Sequence, residues 1–255
     1  MELDNAAAKA GVRLITLDEV GSTNAHALNE ARQGERGPLW VVARTQSAGR
    51  GRRGRAWVSK PGNLYATLLL TDPAPARHLP QLSFVTALAV HDALCEAAPM
   101  LGPRLTLKWP NDVLCGGAKL SGILLEGEGN TVAVGIGVNC AHHPGNLEYP
   151  ATDLATAGAL VSADGLFTAL SRAMVPRIAQ WERGEGLASI RADWLKRADG
   201  LNRTVRVRLH DRELSGVFEA LDDLGRLVLR RSDGTTETVA AGDVFPLHAA
   251  GVDTA

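Results

Sequence analysis

The chain has 255 residues, 45% hydrophobic and 22% charged, with a net charge of −1; these proportions belong to a globular protein with one large domain, or a large one with a small companion. No apolar run reaches the ~18–20 residues that cross a bilayer, the N-terminal stretch from Met1 to Gly11 lacks the pattern of a signal peptide, and the near-neutral charge provides no overall field for nucleic acid. Three cysteines (Cys95, Cys115, Cys140) without metal-ligand spacing suit a reducing, cytoplasmic compartment.

Val12 to Val20 reads as a strand, and Gly21-Ser22-Thr23-Asn24 as a helix start, with side chains that cap free N–H groups ahead of a helix over Ala25 to Ala31. Leu39 to Ala43 is a short apolar strand, Thr45 to Arg55 a polar loop, and Asn63 to Leu70 the next strand. Between Leu79 and Ala97, the apolar residues Leu82, Val85, Ala89 and Ala93 recur at helical spacing and predict a buried helix. Arg104 to Lys108 reads as a strand that proline ends at Trp109-Pro110-Asn111-Asp112. Gly116-Gly117 is a turn, Ile123–Glu126 and Val132–Val138 form a strand pair around Gly127–Asn130, and Ala163 to Ala198 is mainly helical. After Gly200 come short strands at Val205–Leu209, Leu214–Glu219, Leu227–Leu229 and Thr236–Val239, the pattern of a small β-barrel. The expected boundary falls near residue 199.

Four segments carry chemistry. Gln46 to Trp57 alternates glycine with Arg50, Arg52, Arg53 and Arg55. Glycine permits close backbone approach and arginine brings a planar fork of donors, so the loop suits an anion. Empty, it would be floppy, since glycines lose entropy on ordering and four like charges repel; read alone, it is equally a solvated basic loop or an RNA contact. Lys108-Trp109-Pro110-Asn111-Asp112 presents an amide and a carboxylate at a strand end, where they could hold Mg²⁺ and a nucleotide or form a plain turn. Of five lysines, Lys119 is best placed to enter a dry pocket, between a glycine turn and an apolar strand; the alternative is an exposed hairpin lysine. The alternating glycines of Val134-Gly135-Ile136-Gly137-Val138-Asn139 predict a flat approach to the backbone, or a buried strand with bulges.

Taken in order, these segments resemble the biotin–protein ligases, closely over residues ~12 to 140 and in layout downstream. The resemblance implies an α+β fold: a catalytic domain like that of class II aminoacyl-tRNA synthetases (1–199), then a small SH3-like barrel (200–255). It implies that Ser22, Thr23 and Gln46 hold the biotin ureido ring with Asn24 in support, and that Arg50, Gly51 and Arg52 close over biotin and its adenylate. Arg53 and Arg55 become candidate phosphate contacts, and Trp57 packs on adenine or its covering loop. Asn111 and Asp112 take the ATP–Mg²⁺ side, Asp112 being the metal contact. Lys119 spans carboxylate and phosphate, Gly122 joins the biotin site, and Asn139 meets the nucleotide.

The implied substrates are biotin and ATP with Mg²⁺, and the implied partner is a biotin carboxyl carrier protein or carrier domain of an acyl-CoA carboxylase. No catalytic cysteine or serine is expected. The 20 residues ahead of Gly21 are too few for a winged-helix domain, so the expectation is a monofunctional ligase without a DNA partner or membrane association, as a monomer or weak homodimer. With no lysine after Lys196, an arginine such as Arg206 or Arg208 would serve if the C-terminal domain closes on ATP. A lipoate ligase would share the fold but not the Lys-Trp-Pro-Asn-Asp series. An RNA-binding protein needs a broad basic face and stacking aromatics, which are only 4% here.

Overall fold

The computed structural model describes residues 1–145 and 149–246. Its larger sheet contains Arg13–Val20 (β1), Leu39–Gln46 (β2), Leu64–Thr71 (β3), Leu105–Lys108 (β4), Asp112–Cys115 (β5), Ala118–Glu128 (β6) and Thr131–Val138 (β7), in the order β1-β2-β3-β7-β6-β5-β4. Only β1 and β2 run parallel. Strands β2 and β3 are continuous apolar runs because both faces of the sheet are covered there.

The alternation of side chains across a strand divides the core. Trp40, Val42, Leu68 and Val134 belong to a large cluster with the helices Leu82–Ala97 (α3) and Ala163–Trp181 (α4); Leu39, Val41, Leu69 and Ala133 belong to a smaller one with Ala27 of the helix Thr23–Arg32 (α2). In the large cluster Trp40 meets Phe167 edge to face, centroids 5.5 Å apart, and Phe84 meets Trp194 of the helix Leu187–Leu195 (α5) at 5.6 Å. Helix α2 has only ten residues and packs mainly on β2, β3 and β7, so it leaves most of the β6–β5–β4 end of its face uncovered.

Thr204–Arg208 (β8), Glu213–Leu221 (β9), Leu227–Arg230 (β10), Thr236–Val239 (β11) and Asp243–Pro246 (β12) make a second, antiparallel sheet ordered β11-β10-β9-β8-β12. Its apolar face, including Val205, Val207, Phe218 and Leu229, runs into the large core. Trp109 Nε1 donates to the Gly225 carbonyl (3.1 Å) across the junction.

Sequence reading misses three elements: β5, β12 and the short helix Asn5–Lys9 (α1), which Asp4 caps by accepting from the Ala6 N–H at 2.8 Å. It also starts α3 early: Pro80 lies in a 3-10 turn, Ala76–Gln81, that precedes the helix. The bulge in the large sheet lies between Val113 and Leu114 of β5, whereas β7 pairs without a register shift. Its glycines therefore have another purpose.

Candidate active site

Residues directly paired across neighbouring strands share a face. On the open face one row reads Gly137, Gly122, Asp112, Lys108 across β7, β6, β5 and β4. The next row reads Thr67, Gly135, Leu124 across β3, β7 and β6. Two glycines thus make a floor beside a carboxylate and an ammonium, with the N-terminus of α2 over the second row. A cavity of about 300 Å³ occupies this space.

The neutral end is a tight network. The Gln46 side-chain carbonyl accepts from the Thr23 N–H (2.9 Å) and the Thr23 hydroxyl (3.1 Å), and the Gln46 amide donates to Ser59 Oγ (3.0 Å). The Thr67 hydroxyl donates to Asn24 Oδ1 (2.6 Å), while Asn24 Nδ2 donates to Glu126 (2.8 Å) and to the Leu124 carbonyl (3.2 Å). Ser22 Oγ caps α2 by accepting from the Ala25 N–H (3.5 Å). A Cβ at Gly135 would stand 2.4 Å from Asn24 Oδ1, so glycine there admits the amide to the sheet.

The charged end lies two to three strands further on, about 10–15 Å from β7 at ordinary strand spacing. Lys119 Nζ is 2.7 Å from Asp112 Oδ1, both side chains being about an eighth exposed (13% and 12%). Asp112 Oδ1 makes no hydrogen bond of good geometry among the described residues. Lys119 also faces the Trp57 and Tyr149 rings, at 5.5 and 5.6 Å. Lys108 sits 5.1 Å from both the Tyr149 and Phe245 rings, and burial pulls its pKa down against the pull of Asp112. Asn111 donates to the Ile123 carbonyl (2.6 Å) and accepts from Arg52 Nη1 (3.1 Å).

The arginine loop closes over the site in a defined turn. Gly51 N–H donates to the Arg55 carbonyl (2.7 Å), Trp57 N–H to that of Gly49 (2.9 Å), and Arg53 adopts a left-handed conformation (φ 57°). The repulsion expected to loosen it is offset by carboxylates from elsewhere in the chain. Arg50 pairs with Glu126 (3.0 Å), and Arg52, Arg53 and Arg55 approach Asp243 of β12 at 3.8, 3.4 and 3.3 Å. Burial also lowers the pKa of Arg52, with Asp243 and Asp112 opposing.

All the residues expected at the site line this cavity except Arg53, whose guanidinium is turned onto Asp243. Four others are placed differently from expectation. Trp57 lies on the glycine floor, where a Cβ at Gly137 would be 2.5 Å from its ring, and its buried Nε1 has no hydrogen-bond partner among the described residues. Asn139 spends its amide on the Thr152 carbonyl (3.0 Å). Arg206 and Arg208, the suggested C-terminal contacts, lie 5.4 and 4.9 Å from the Phe245 ring and do not line the cavity; Asp243 and Phe245 do.

Sequence reasoning also missed Lys108, Tyr149 and Glu126. Lys108 stands in a segment already singled out, and strand alternation, which turns it to the face opposite its neighbours Leu107 and Trp109, was the available signal; Tyr149, Asp243 and Phe245 stand in stretches without a motif. The cysteines lie apart from the cavity, and burial pushes the Cys140 thiol up to about 12.

A mixed α+β protein with a pocket that is neutral at one end and cationic at the other is built to hold two anionic reactants together, which is the architecture of an activating ligase. Residues 19–141 match the Biotin/lipoate A/B protein ligase family, and residues 200–245 match the Biotin protein ligase C terminal domain. The chain is 43% identical to the biotin–[acetyl-CoA-carboxylase] ligase of Paracoccus denitrificans, over 90% of this chain and 98% of the relative. It is 33% identical to that of Mycobacterium tuberculosis, covering 92% and 90%. Among solved structures, biotin protein ligase from Aquifex aeolicus in complex with biotin and ATP superposes with a TM-score of 0.77 at 26% identity, covering 93% of this chain and 99% of that one. The chain belongs to the biotin protein ligase family.

Proposed function

We propose that this protein activates biotin with ATP to biotinyl-5'-AMP and pyrophosphate, then transfers biotin to a lysine of a carboxylase carrier protein and releases AMP. The observation that carries the reading is the polarity of the cavity: hydroxyl and amide groups of Thr23, Gln46 and Asn24 at one end suit a neutral ureido ring, and the Lys108, Lys119 and Arg52 end suits a carboxylate and phosphates. Gly122 and Gly137 leave room on the sheet between them.

In the first step a biotin carboxylate oxygen bonds to the α-phosphorus, and the bond from that phosphorus to the bridging oxygen of pyrophosphate breaks. No protein nucleophile is needed; Lys119, Arg50 and Arg52 hold the two anions together and offset the charge gathering at phosphorus. Arg50, Gly51 and Arg52 then cover the mixed anhydride and keep water from it. In the second step a neutral carrier amine bonds to the acyl carbon, the bond from that carbon to the AMP oxygen breaks with its electron pair going to AMP, and the proton shed by the nitrogen passes to solvent. Arg53 and Arg55 reach phosphate once freed from Asp243, Asn111 and Asn139 support the nucleotide, and Trp57 must leave the glycine floor to cover the adenylate.

Asp112 is suited to Mg²⁺ carried on nucleotide phosphates. Its buried oxygen has the Lys119 ammonium 2.7 Å away and no hydrogen-bond partner among the described residues, and no group of three or more His, Cys, Asp or Glu among them forms an all-protein cage. A single carboxylate with phosphate oxygens is the usual arrangement for this ion. Bound there, Mg²⁺ would neutralise phosphate charge.

The same reading extends to the architecture: a class II aminoacyl-tRNA-synthetase-like catalytic domain over 1–199 and an SH3-like barrel over 200–255. It also includes a biotin carboxyl carrier protein as partner, a cytoplasmic setting, no DNA or membrane partner, and a monomer or weak homodimer. The deciding experiment is exchange of labelled pyrophosphate into ATP. Biotin with magnesium should support exchange and lipoate should not; no exchange with biotin would refute the reading.

A further inference from the structure

Three guanidinium groups of one loop converge on a single carboxylate 188–191 residues away in sequence. Asp243 is half-buried at the start of β12, the last strand, where pairing of Asp243 with Arg208 and of Val244 with Val207 fixes the backbone. Arg53 Nη1 donates to its Oδ2 (3.4 Å) and Arg55 Nη2 to its Oδ1 (3.3 Å). Arg52 Nη1 lies 3.8 Å from Oδ1 and donates to the Gly242 carbonyl at 3.4 Å. Each contact is longer than a strong charge-assisted hydrogen bond, which spans about 2.7–2.9 Å. The arginines are therefore gathered by Asp243 without being tightly bound to it.

The charge around this carboxylate is unbalanced. Arg52, Arg53, Arg55, Lys108 and Lys119 bring five positive charges, against the three carboxylates of Asp112, Asp199 and Asp243. A polyphosphate would neutralise this excess of two, whereas one further carboxylate would leave half of it. Tetrahedral phosphate oxygens also offer acceptors to more arginine forks at once than a single flat carboxylate does.

We propose that Asp243 is a stand-in for phosphate: in the empty protein it holds Arg52, Arg53 and Arg55 in place over the pocket, and the polyphosphate of the nucleotide takes those arginines from it on binding. Asp243 is thus a positioning residue that acts through the loop, and the C-terminal sheet sets where the loop rests. The exchange rests on the nucleotide reading above; the holding contact does not.

The test is limited trypsin digestion of the full chain without ligand, following cleavage after Arg50, Arg52, Arg53 and Arg55 by mass spectrometry. Asp243→Asn should speed cleavage at these bonds roughly fivefold, the worth of a few partly exposed ion pairs, and Asp243→Glu should restore the wild-type rate. An unchanged melting temperature in both variants shows that the sheet is intact, which a merely structural role would not leave so. Equal cleavage of Asp243→Asn and wild type overturns the proposal, whether or not the protein turns over biotin. Inorganic tripolyphosphate should protect Asp243→Asn at lower concentration than wild type, because it no longer competes with the carboxylate. Equal or weaker protection of the variant overturns the exchange.

Discussion

At the scale of single residues, Lys119 and Asp112 form a nearly dry ion pair at 2.7 Å, each the other's charge partner inside the cavity. Removing one partner of such a pair strands the other, so their substitutions differ in kind from surface changes. Lys119→Ala should leave the protein folded and lower biotin-dependent pyrophosphate exchange by roughly 10²–10³-fold, the cost of one preorganised donor; near-normal exchange would remove the ammonium from the mechanism. Arg52→Gly should release the adenylate early, read as biotin on bystander lysines of an added protein; unchanged retention would show that the loop does not seal the site. Gly137→Ala places a Cβ 2.5 Å from a rigid indole. It should cost about 1–3 kcal/mol in urea unfolding, and an unchanged midpoint would mean that Trp57 moves aside freely. The glycine pair at 135 and 137 was legible as a place of close approach. That the approaching groups are Asn24 and Trp57 was not, because contacts over 80 to 111 residues of sequence leave no local periodicity.

At the scale of elements, the helices that close the far side of the large sheet are tied by one arginine. Arg177 of α4 donates to Asp92 of α3 (2.7 Å) and to Asp193 of α5 (2.8 Å). The Asp193 carboxyl is held far below the ordinary range, chiefly by the hydrogen bond from Gln180 and further by Arg177 and Lys196, with burial opposing. Burial raises the Asp92 carboxyl, but hydrogen bonds from His91 and Arg177 outweigh it and the net direction is down. A carboxylate depressed in the folded state contributes stability above its unfolded pKa, near 4, and that contribution is lost as pH falls through the folded value. Thermal stability should therefore decline below about pH 4, and Arg177→Met should flatten that decline; identical acid profiles would refute the linkage. The helices themselves were readable from apolar spacing. The network was not, since three charged side chains on three helices look like ordinary solvated positions until the helices are packed.

At the scale of the whole molecule, the two sheets meet where the C-terminal sheet turns through Gly225. This glycine is left-handed (φ 75°), its carbonyl accepts from Trp109, and a Cβ there would come 2.6 Å from Phe84. Gly225→Ala should lower the melting temperature by several degrees, as a backbone and packing conflict of a few kcal/mol would; a neutral result would mean that the junction yields. Biotin with ATP should raise the wild-type midpoint through linkage to the folded state, and lipoate should leave it unchanged. The junction also brings Asp243 and Phe245 to the pocket, so the site draws on both sheets. The sequence suggested Arg206 and Arg208 for that purpose, but alternation on β8 places them at the Phe245 ring outside the cavity.

What the amino-acid order determined by itself is local: the strand and helix periods, the glycine turn at Gly116-Gly117, the helix start at Gly21-Ser22-Thr23-Asn24, and an arginine–glycine loop whose chemistry suits an anion. Each depends on neighbours a few residues apart, which backbone geometry and side-chain type decide without reference to the rest of the chain. Only tertiary structure decided which groups share the pocket floor, because strand register sets Gly137, Gly122, Asp112 and Lys108 in one row. It also decided which carboxylate answers the arginines. Register and charge pairing are settled by burial summed over both sheets, and no single segment contains that sum.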